Sequence, residues 1–321
     1  MKIAVVGPGA VGSYYGAKLC RDGHEVHFLL RSDYEQVRRH GVRILSPEGD
    51  FNVRPKCART SSEIGPCDLV LISIKSTANE ALKQILPPLV SEETAVLTLQ
   101  NGLGNEEFIS GIVSSGQILG GLCFVCLNRI APGVIQHLAH GKIEMGEFAG
   151  WPEPRTHDIA SAFRRAGIPC VVRDNLEKAH WEKLVWNIPF NGLGVASCAG
   201  FEAVRTGVFA GRKGECLTTD ELLANPNWFG LLETLMHEVI AAGNAFGFGI
   251  PKQLAQDHID KTRIMGAYKP STLVDFERNQ PVELDAIFFE PLRRAESKGV
   301  PVPQLRALCS VLAALNSDSP A

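Results

Sequence analysis

The chain has 321 residues, of which 45% are hydrophobic and 21% charged, a composition typical of a soluble globular protein with two domains. Its 32 basic and 35 acidic side chains give a net charge of −3, so it has neither the basic surface that nucleic acid requires nor an acidic tail. No signal peptide precedes the first strand-like segment, and no apolar run is long enough to cross a membrane. We therefore expect a cytoplasmic protein that binds neither nucleic acid nor membrane.

The N-terminal half alternates short apolar runs with helix-like segments. The apolar runs are compact and rich in β-branched residues, as are strands buried on both faces of a parallel sheet. They cover residues 2–7, 25–30, 68–75 and 94–99, and helix candidates lie at 11–22 and 78–86. This βαβ alternation predicts an α/β fold with a Rossmann-type doubly wound sheet.

Antiparallel elements are predicted further along this half. Residues 41–53, "GVRILSPEGDFNV", have the pattern of a hairpin. Residues 118–146 suggest more antiparallel strands, with turns at Pro132-Gly133 and at His140-Gly141. A helix near 154–166 and a short strand at 169–172 would complete a first domain of residues 1–174.

Beyond residue 174 the strand-like runs disappear and helical periodicity replaces them. The predicted helices are 177–190, 228–246, 281–297 and 302–315. Residues 175–321 should thus form an all-helical second domain, and a cleft between two domains is a natural place for a small ligand. The last helices could pack internally or pair with a second subunit, so a homodimer is one of the alternatives.

The nine cysteines are odd in number and scattered, which points to a reducing compartment and thiols rather than disulfides. Cys123 and Cys126 form a C-x-x-C, but it lies in an apolar run without a second pair. His137 and His140 lie in a predicted strand, where their rings would point to opposite faces. We predict no metal site.

The segment "GPGAVG" fits the pattern G-x-G-x-x-G between the first strand and the first helix. In such a turn the first glycine permits the tight bend, the second lets the backbone approach a pyrophosphate, and the third lets the helix pack on the strand. We therefore predict that Gly7, Gly9, Ala10 and Gly12 bind a dinucleotide.

The residue at the end of the second strand distinguishes the two nicotinamide cofactors. An NAD site places Asp or Glu there to bond the ribose 2′-hydroxyl, whereas this chain has Arg31 followed by Ser32. A guanidinium can bond a 2′-phosphate bidentately. The sequence predicts NADP(H).

A polar stripe stands out in "HWEKLVWNIPFNG". Lys183, Asn187 and Asn191 are four residues apart and would share one helix face, yet they are surrounded by large apolar side chains. Hydride transfer to a ketone leaves negative charge on oxygen, which a nearby donor must stabilise and protonate. An enclosed ammonium suits that task and also attracts an anionic acid.

Other candidate residues lie where ligands bind in open parallel sheets, beyond the carboxyl ends of the strands. Lys75 follows one core strand and Asn101 follows the next. Much later, the segment 268–285 contributes Ser271 and Glu283 in a predicted loop and helix.

With these residues the sequence resembles the ketopantoate reductase family (2-dehydropantoate 2-reductases). The matching segments, in the family's order, are "MKIAVVGPGAVGSYYGAKL", "SIKS", "QNGLGNEE", "WEKLVWNIPFN", "KPSTLVDFE" and "PVELDAI". The resemblance implies an NADPH-binding Rossmann domain and a helical domain similar to the C-terminal domain of 6-phosphogluconate dehydrogenase. It also implies reduction of the 2-oxo acid ketopantoate to pantoate, for pantothenate and coenzyme A synthesis.

The resemblance also assigns roles to the candidate residues. Lys183 would be the general acid, and Glu283 would lie near the substrate hydroxyl and the nicotinamide. Arg31 and Lys75 would hold the cofactor. The implied substrate ligands are Asn101, which would also contact the cofactor, Asn187, Asn191 and Ser271.

Two features depart from the family pattern near the predicted pocket. Pro189 lies inside the stripe's helix, where it should kink the axis. Residues 198–217 form a longer connection than the family usually has. Three alternatives stay open: a reductase of another 2-oxo acid, an opine-type dehydrogenase and a non-catalytic NADP(H) sensor.

Overall fold

The computed structural model describes residues 1–317. The chain divides into two compact units, Met1–Glu177 and the part from Lys178 onwards. Each unit has its own set of elements, and within residues 1–317 no helix has the length and apolar character of a membrane span.

The first unit is built on one mixed sheet. Its strands are β1 (Lys2–Val6), β2 (Glu25–Leu29), β3 (Val42–Leu45), β4 (Phe51–Val53), β5 (Lys56–Ala58), β6 (Leu69–Ile72), β7 (Ala95–Thr98), β8 (Ile118–Ala131), β9 (Val134–Glu147) and β10 (Cys170–Val172). The parallel part has the strand order β5-β2-β1-β6-β7-β8, as a doubly wound fold requires, and the helices follow the strands along the chain. The helices are α1 (Ala10–Arg21), α2 (Tyr34–His40), α3 (Ser61–Ile64), α4 (Leu82–Ile85), α5 (Asn105–Ser110) and α6 (Pro154–Arg165).

Both faces of the parallel sheet are buried, because successive side chains of a strand alternate between two apolar clusters. In β1, Ile3 and Val5 belong to one cluster, and Ala4 and Val6 belong to the other. The apolar, β-branched runs of the sequence follow from this double burial, and the predicted Rossmann-type sheet is confirmed.

The antiparallel part of the sheet is simpler than the sequence suggested. β8 and β9 are two long paired strands with a turn at Pro132-Gly133, and β3 and β4 form the predicted hairpin. The second predicted turn, at His140-Gly141, is wrong: both residues lie inside β9, where the register shifts opposite Phe124 and Val125. The positive φ values of His140 and Gly141, 65° and 131°, belong to this irregularity of the strand.

The regular elements described in the second unit are helical. They are α7 (Leu176–Ala196, whose first two residues precede the unit), α8 (Phe201–Thr206), α9 (Thr219–Ala224), α10 (Pro226–Asn244), α11 (Gln253–Arg263), α12 (Ser271–Glu277), a π-helical turn (Asp285–Phe289), α13 (Glu290–Ser297) and α14 (Pro303–Ser317). The four predicted helices are present. The sequence pattern missed α8, α9, α11 and α12, which are short or mostly polar.

Two segments that depart from the family pattern can now be placed. α7 continues through the buried Pro189 to Ala196. The stretch 198–217 begins in a 3₁₀ turn, Ser197–Ala199, continues into α8 and ends in an irregular loop before α9. The last helix, α14, packs within the unit through buried residues such as Leu308 and Leu312.

Candidate functional site

The glycine turn connects β1 to α1, and its three glycines have different surroundings. Gly7 has φ +82°, and a Cβ there would lie 2.7 Å from the backbone nitrogen of Ile74. A Cβ on Gly12 would lie 2.8 Å from the Gly7 oxygen and 3.0 Å from Cγ1 of Val5, so helix and strand touch there. These close approaches, together with the positive φ of Gly7, explain why glycine occupies both positions.

Gly9 is different, because the space beside it is open. A Cβ added there would have the Gly7 oxygen, at 3.9 Å, as its nearest neighbour, and Gly9 is exposed. Gly9 caps α1, whose first turn contains no acidic residue and no side-chain capping bond within the described residues. The N–H groups of this turn therefore face open space, the arrangement in which a helix terminus attracts a phosphate.

The turn is held by residues that the sequence analysis missed. The Ser73 hydroxyl, just beyond β6, donates to the Gly7 carbonyl at 2.8 Å and the Val6 carbonyl at 3.3 Å. Ser13 Oγ donates to the Pro8 carbonyl at 2.8 Å. Ser73 lies in the segment "SIKS" with the predicted Lys75, so its place at a strand end was the available signal.

Arg31 lies just beyond β2 and is exposed. The nearest acid, Asp33, is buried, and its carboxylate accepts bonds from Arg129 Nε at 3.1 Å and Nη2 at 2.5 Å. Burial raises the pKa of Asp33, but bonds from Arg129, Ser32 and the Gly133 backbone outweigh it and lower the pKa below its ordinary value. The acid is therefore ionised and neutralised by Arg129.

Lys75 and Asn101 follow β6 and β7, which are adjacent parallel strands, so both lie at the same edge of the sheet as the glycine turn. Both side chains are partly buried. Lys75 precedes the 3₁₀ segment Ser76–Ala81 and is its N-cap. This edge brings together the predicted nucleotide-binding residues of the first unit.

An amide network, also missed by the sequence analysis, holds the loop of Asn101. Gln100 donates to Asn79 at 2.7 Å, and Asn79 donates to Asn105 at 3.1 Å. Asn105 in turn donates to the carbonyl of Asn101 at 3.0 Å. Because Gln100 and Asn105 are nearly fully buried, this network fixes the backbone on which the Asn101 side chain stands.

In the second unit α7 carries the polar stripe. Lys183 is partly buried and Asn187 is 7% exposed, while Trp181 and Leu184 beside them are fully buried or nearly so. Trp186 is fixed by a bond from Nε1 to Thr262 Oγ1 at 2.9 Å. The stripe is therefore enclosed in apolar surroundings, as the sequence analysis expected.

The far end of the stripe contacts another predicted site segment. Asn191 is 2% exposed, and its Oδ1 accepts a bond from the backbone N–H of Thr272 at 3.0 Å. Thr272 follows Ser271, the exposed first residue of α12, so Asn191 sets the position of Ser271. Glu283 is partly buried and its carbonyl accepts from Ile287 N at 3.3 Å, at the start of the π-helical turn.

A cavity of about 650 Å³ in the second unit lies elsewhere. Its walls come from the loop before α9 and from α12, and none of the predicted site residues is among the described residues that line it. Residues 1–317 contain no group of three or more His, Cys, Asp or Glu side chains arranged to hold a metal ion.

The doubly wound sheet and its glycine turn define the class of Rossmann-type nucleotide-binding proteins. The family profile "Ketopantoate reductase PanE/ApbA" matches residues 3–150, and "Ketopantoate reductase PanE/ApbA C terminal" matches residues 214–316. The chain belongs to the ketopantoate reductase family, whose members are oxidoreductases acting on CH–OH groups.

Individual relatives are similar over the whole length. A 2-dehydropantoate 2-reductase of Nostoc sp. is 40% identical over 313 residues, which are 96% of this chain and 92% of the relative. The crystal structure of 2-dehydropantoate 2-reductase from Geobacter metallireducens is 41% identical with a TM-score of 0.89, covering 98% of this chain and 99% of that one. The one from Methylococcus capsulatus is 32% identical with a TM-score of 0.86, covering 99% and 97%.

Proposed function

We propose that the chain reduces 2-dehydropantoate to pantoate with NADPH, a step that serves pantothenate and coenzyme A synthesis. The observation that carries this proposal is the full-length similarity to relatives named 2-dehydropantoate 2-reductase, at 40% identity. The residues assigned from the family motifs are all present, among them Lys183 and Glu283. A sensor that only bound the cofactor would not need this set together.

The first unit fits a nucleotide. The open space beside Gly9 and the uncapped N–H groups of α1 suit a pyrophosphate, and no acidic side chain of that first turn opposes it. Lys75 and Asn101 would hold the nicotinamide part of the cofactor from the ends of β6 and β7.

The preference for NADPH over NADH rests on two arginines. Arg31 is exposed at the end of β2 and would bond the 2′-phosphate. Asp33, the residue that could instead bond a ribose 2′-hydroxyl, is buried and already engaged by Arg129. Arg129 thus removes both the competing acceptor and most of the negative charge that would repel a phosphate.

The residues of α7 would carry out the proton transfer. When bound, the reduced nicotinamide supplies the hydride that adds to C2 of the 2-oxo acid. The Lys183 ammonium would donate a hydrogen bond to the oxygen on C2, stabilise the negative charge that develops there and transfer its proton to it. Ser271 would bond the carboxylate, and Asn187 would orient the substrate oxygens without adding charge.

A panel of substrates tests this function. The purified chain is mixed with NADPH and, separately, with 2-dehydropantoate, other branched 2-oxo acids, and pairs of a 2-oxo acid with an amino acid. The kcat/KM value, measured from the loss of NADPH absorbance, should be highest with 2-dehydropantoate. A higher kcat/KM with another acid would identify the paralogous reductase, and dependence on the amino acid would identify an opine-type enzyme.

A binding measurement separates the remaining alternative. NADPH fluorescence titration reports on the nucleotide site whether or not turnover occurs. Tight NADPH binding with unchanged absorbance for every acid would overturn the enzyme and favour the sensor. Turnover that disappears in Lys183→Ala while NADPH titrates normally would support the proposal.

A further inference from the structure

Two cysteines of the second unit lie in contact, although the sequence separates them by α8 and a loop. Cys198 is in the 3₁₀ turn that follows α7, and Cys216 is in the loop before α9. Their side chains are within hydrogen-bonding reach of each other, and Cys216 Sγ also lies 3.7 Å from the carbonyl oxygen of Val195. The proposed reductase reaction uses neither thiol.

The backbone keeps the two thiols together. The carbonyl of Cys198 accepts bonds from Lys213 N at 2.6 Å and Gly214 N at 3.1 Å. Leu217 N donates to Ser197 Oγ at 2.9 Å. These three bonds hold the segment of Cys198 beside the segment of Cys216.

The surroundings make the two thiols unequal. The hydrogen bond from Cys216 lowers the pKa of Cys198 against the effect of burial, and the positive charge of Arg212 lowers it further. The same hydrogen bond raises the pKa of Cys216, and burial adds to the rise. Arg212 is itself held over the Phe276 ring, 4.9 Å from its centroid. Cys198 is therefore the better nucleophile of the pair.

Solvent can reach this pair. Both cysteines line the cavity of about 650 Å³, and so do the exposed residues Arg212, Glu215 and Lys269. Cys198 itself is 3% exposed, so a small molecule would reach it through the cavity rather than from the open surface.

We propose that Cys198 and Cys216 are a redox modification site, at which hydrogen peroxide oxidises the two thiols to a reversible intramolecular disulfide. The Cys198 thiolate attacks one peroxide oxygen, the O–O bond breaks, and the departing hydroxide takes up a proton as water. Cys216 sulfur then attacks the sulfenic sulfur of Cys198, the S–O bond breaks, and the hydroxide leaves with the Cys216 proton as a second water. One peroxide becomes two waters, two thiols become one disulfide, and a dithiol reverses the change.

Peptide mapping of the full chain tests the site. The reduced protein is treated with one equivalent of hydrogen peroxide, alkylated and digested with trypsin, which places the two cysteines in peptides 184–205 and 214–252. We expect these peptides linked to each other and released by dithiothreitol. If both stay as separate thiols while other cysteines oxidise, the proposal is overturned.

Single variants test the order of the two thiols. In Cys216→Ser the sulfenic acid on Cys198 cannot be resolved, so dimedone should label it at least about tenfold more than it labels Cys216 in Cys198→Ser. The reverse ratio would overturn the assigned roles. Cys309→Ser is the matched control, because Cys309 is a buried thiol whose pKa is raised to about 12 by burial, and the cross-link should still form. Since the wild-type mapping needs no variant, a folding failure in one of them does not decide the outcome.

Discussion

The side-chain oxygen of Asn191 accepts the backbone N–H of Thr272 at 3.0 Å, which ties α7 to the first turn of α12. The two residues are 81 positions apart in the chain, and both are almost completely buried. Asn191 therefore positions the segment that carries Ser271.

We expect Asn191→Leu to lower the free energy of unfolding by about 1–3 kcal/mol, because it leaves the Thr272 N–H buried without its acceptor. Asn191→Asp keeps an oxygen at that place and should lose less stability than the leucine variant. Chemical denaturation of both variants measures the difference. Equal stability of Asn191→Leu and the wild type would show that this bond does not hold α12.

Replacement of the proposed proton donor should affect turnover and spare the cofactor. We expect Lys183→Ala to reduce kcat by roughly 10²–10⁴-fold, the usual loss for a general acid, with NADPH affinity largely retained. Lys178→Ala is the control on the same helix, because Lys178 pairs with Glu182 at 3.9 Å and has no proposed role. Unchanged kcat in Lys183→Ala would remove the residue from the mechanism.

Arg31 should discriminate between the two nicotinamide cofactors. Loss of a charged hydrogen bond to the 2′-phosphate costs about 1.5–3 kcal/mol, so Arg31→Ala should weaken NADPH by roughly 10- to 100-fold and NADH far less. Dissociation constants for both cofactors measure this. An equal loss for both would contradict binding of the 2′-phosphate by Arg31.

Arg129 should also affect the preference for NADPH over NADH, through its bonds with Asp33. Arg129→Gln leaves the Asp33 carboxylate without its guanidinium partner, so its charge and its hydrogen-bonding capacity become available. We expect the ratio of NADPH to NADH affinity to fall, and Asp33→Asn in the same background to restore it. A ratio that stays at the wild-type value would show that Asp33 does not influence the cofactor.

The glycine turn offers a matched pair of variants. A methyl group on Gly12 would collide with Ser73 Oγ and the Gly7 carbonyl, so Gly12→Ala should cost about 1–3 kcal/mol of stability. Gly9→Ala meets no close neighbour and should fold normally, yet weaken NADPH because the methyl group occupies the phosphate's space. Thermal melts and NADPH titration separate the two effects. A stable Gly9→Ala with full NADPH affinity would place the pyrophosphate elsewhere.

His258 should make stability depend on pH. Burial lowers its pKa from 6.5, against the effect of a bond with the Glu182 backbone, and within the described residues its Nε2 has no hydrogen-bond partner. The unfolded chain therefore binds a proton more readily, and the stability present above about pH 6.5 is lost as the pH falls. His258→Leu should flatten the fall in unfolding free energy between about pH 7.5 and 5.5, whereas the exposed His40→Gln should not. A parallel fall in wild type and His258→Leu would exclude this histidine.

The sequence was sufficient to predict those strands whose local residue pattern agrees with their burial in the fold. β1, β6 and β7 are apolar because both faces of the sheet are covered there, and the glycine spacing reflects two close backbone contacts. The predicted turn at His140-Gly141 was wrong because glycine is favoured at irregularities of a strand as well as in turns. Here Gly141 lies against the buried Tyr14, and a Cβ would come within 2.9 Å of its hydroxyl oxygen. Local sequence contains no sign of that contact.

The site residues that escaped prediction are those joined over long distances. Asp33 meets Arg129 across 96 positions, and Gln100 meets Asn79 across 21. Polar residues in such pairs look like ordinary surface side chains until the fold brings them together. Lys183, by contrast, could be predicted because it lies on a regular helix whose periodicity already reveals an unusual polar position.

The order of strands in the sheet has a consequence for how the chain is made. β3 and β4 precede β5 in synthesis, but β3 pairs with β9, which emerges from the ribosome much later. The hairpin must therefore wait beside an unfinished sheet, with its edge open to wrong partners, until the long β8–β9 ribbon arrives. Completion of the sheet in this half of the molecule is thus governed by the arrival of a distant strand.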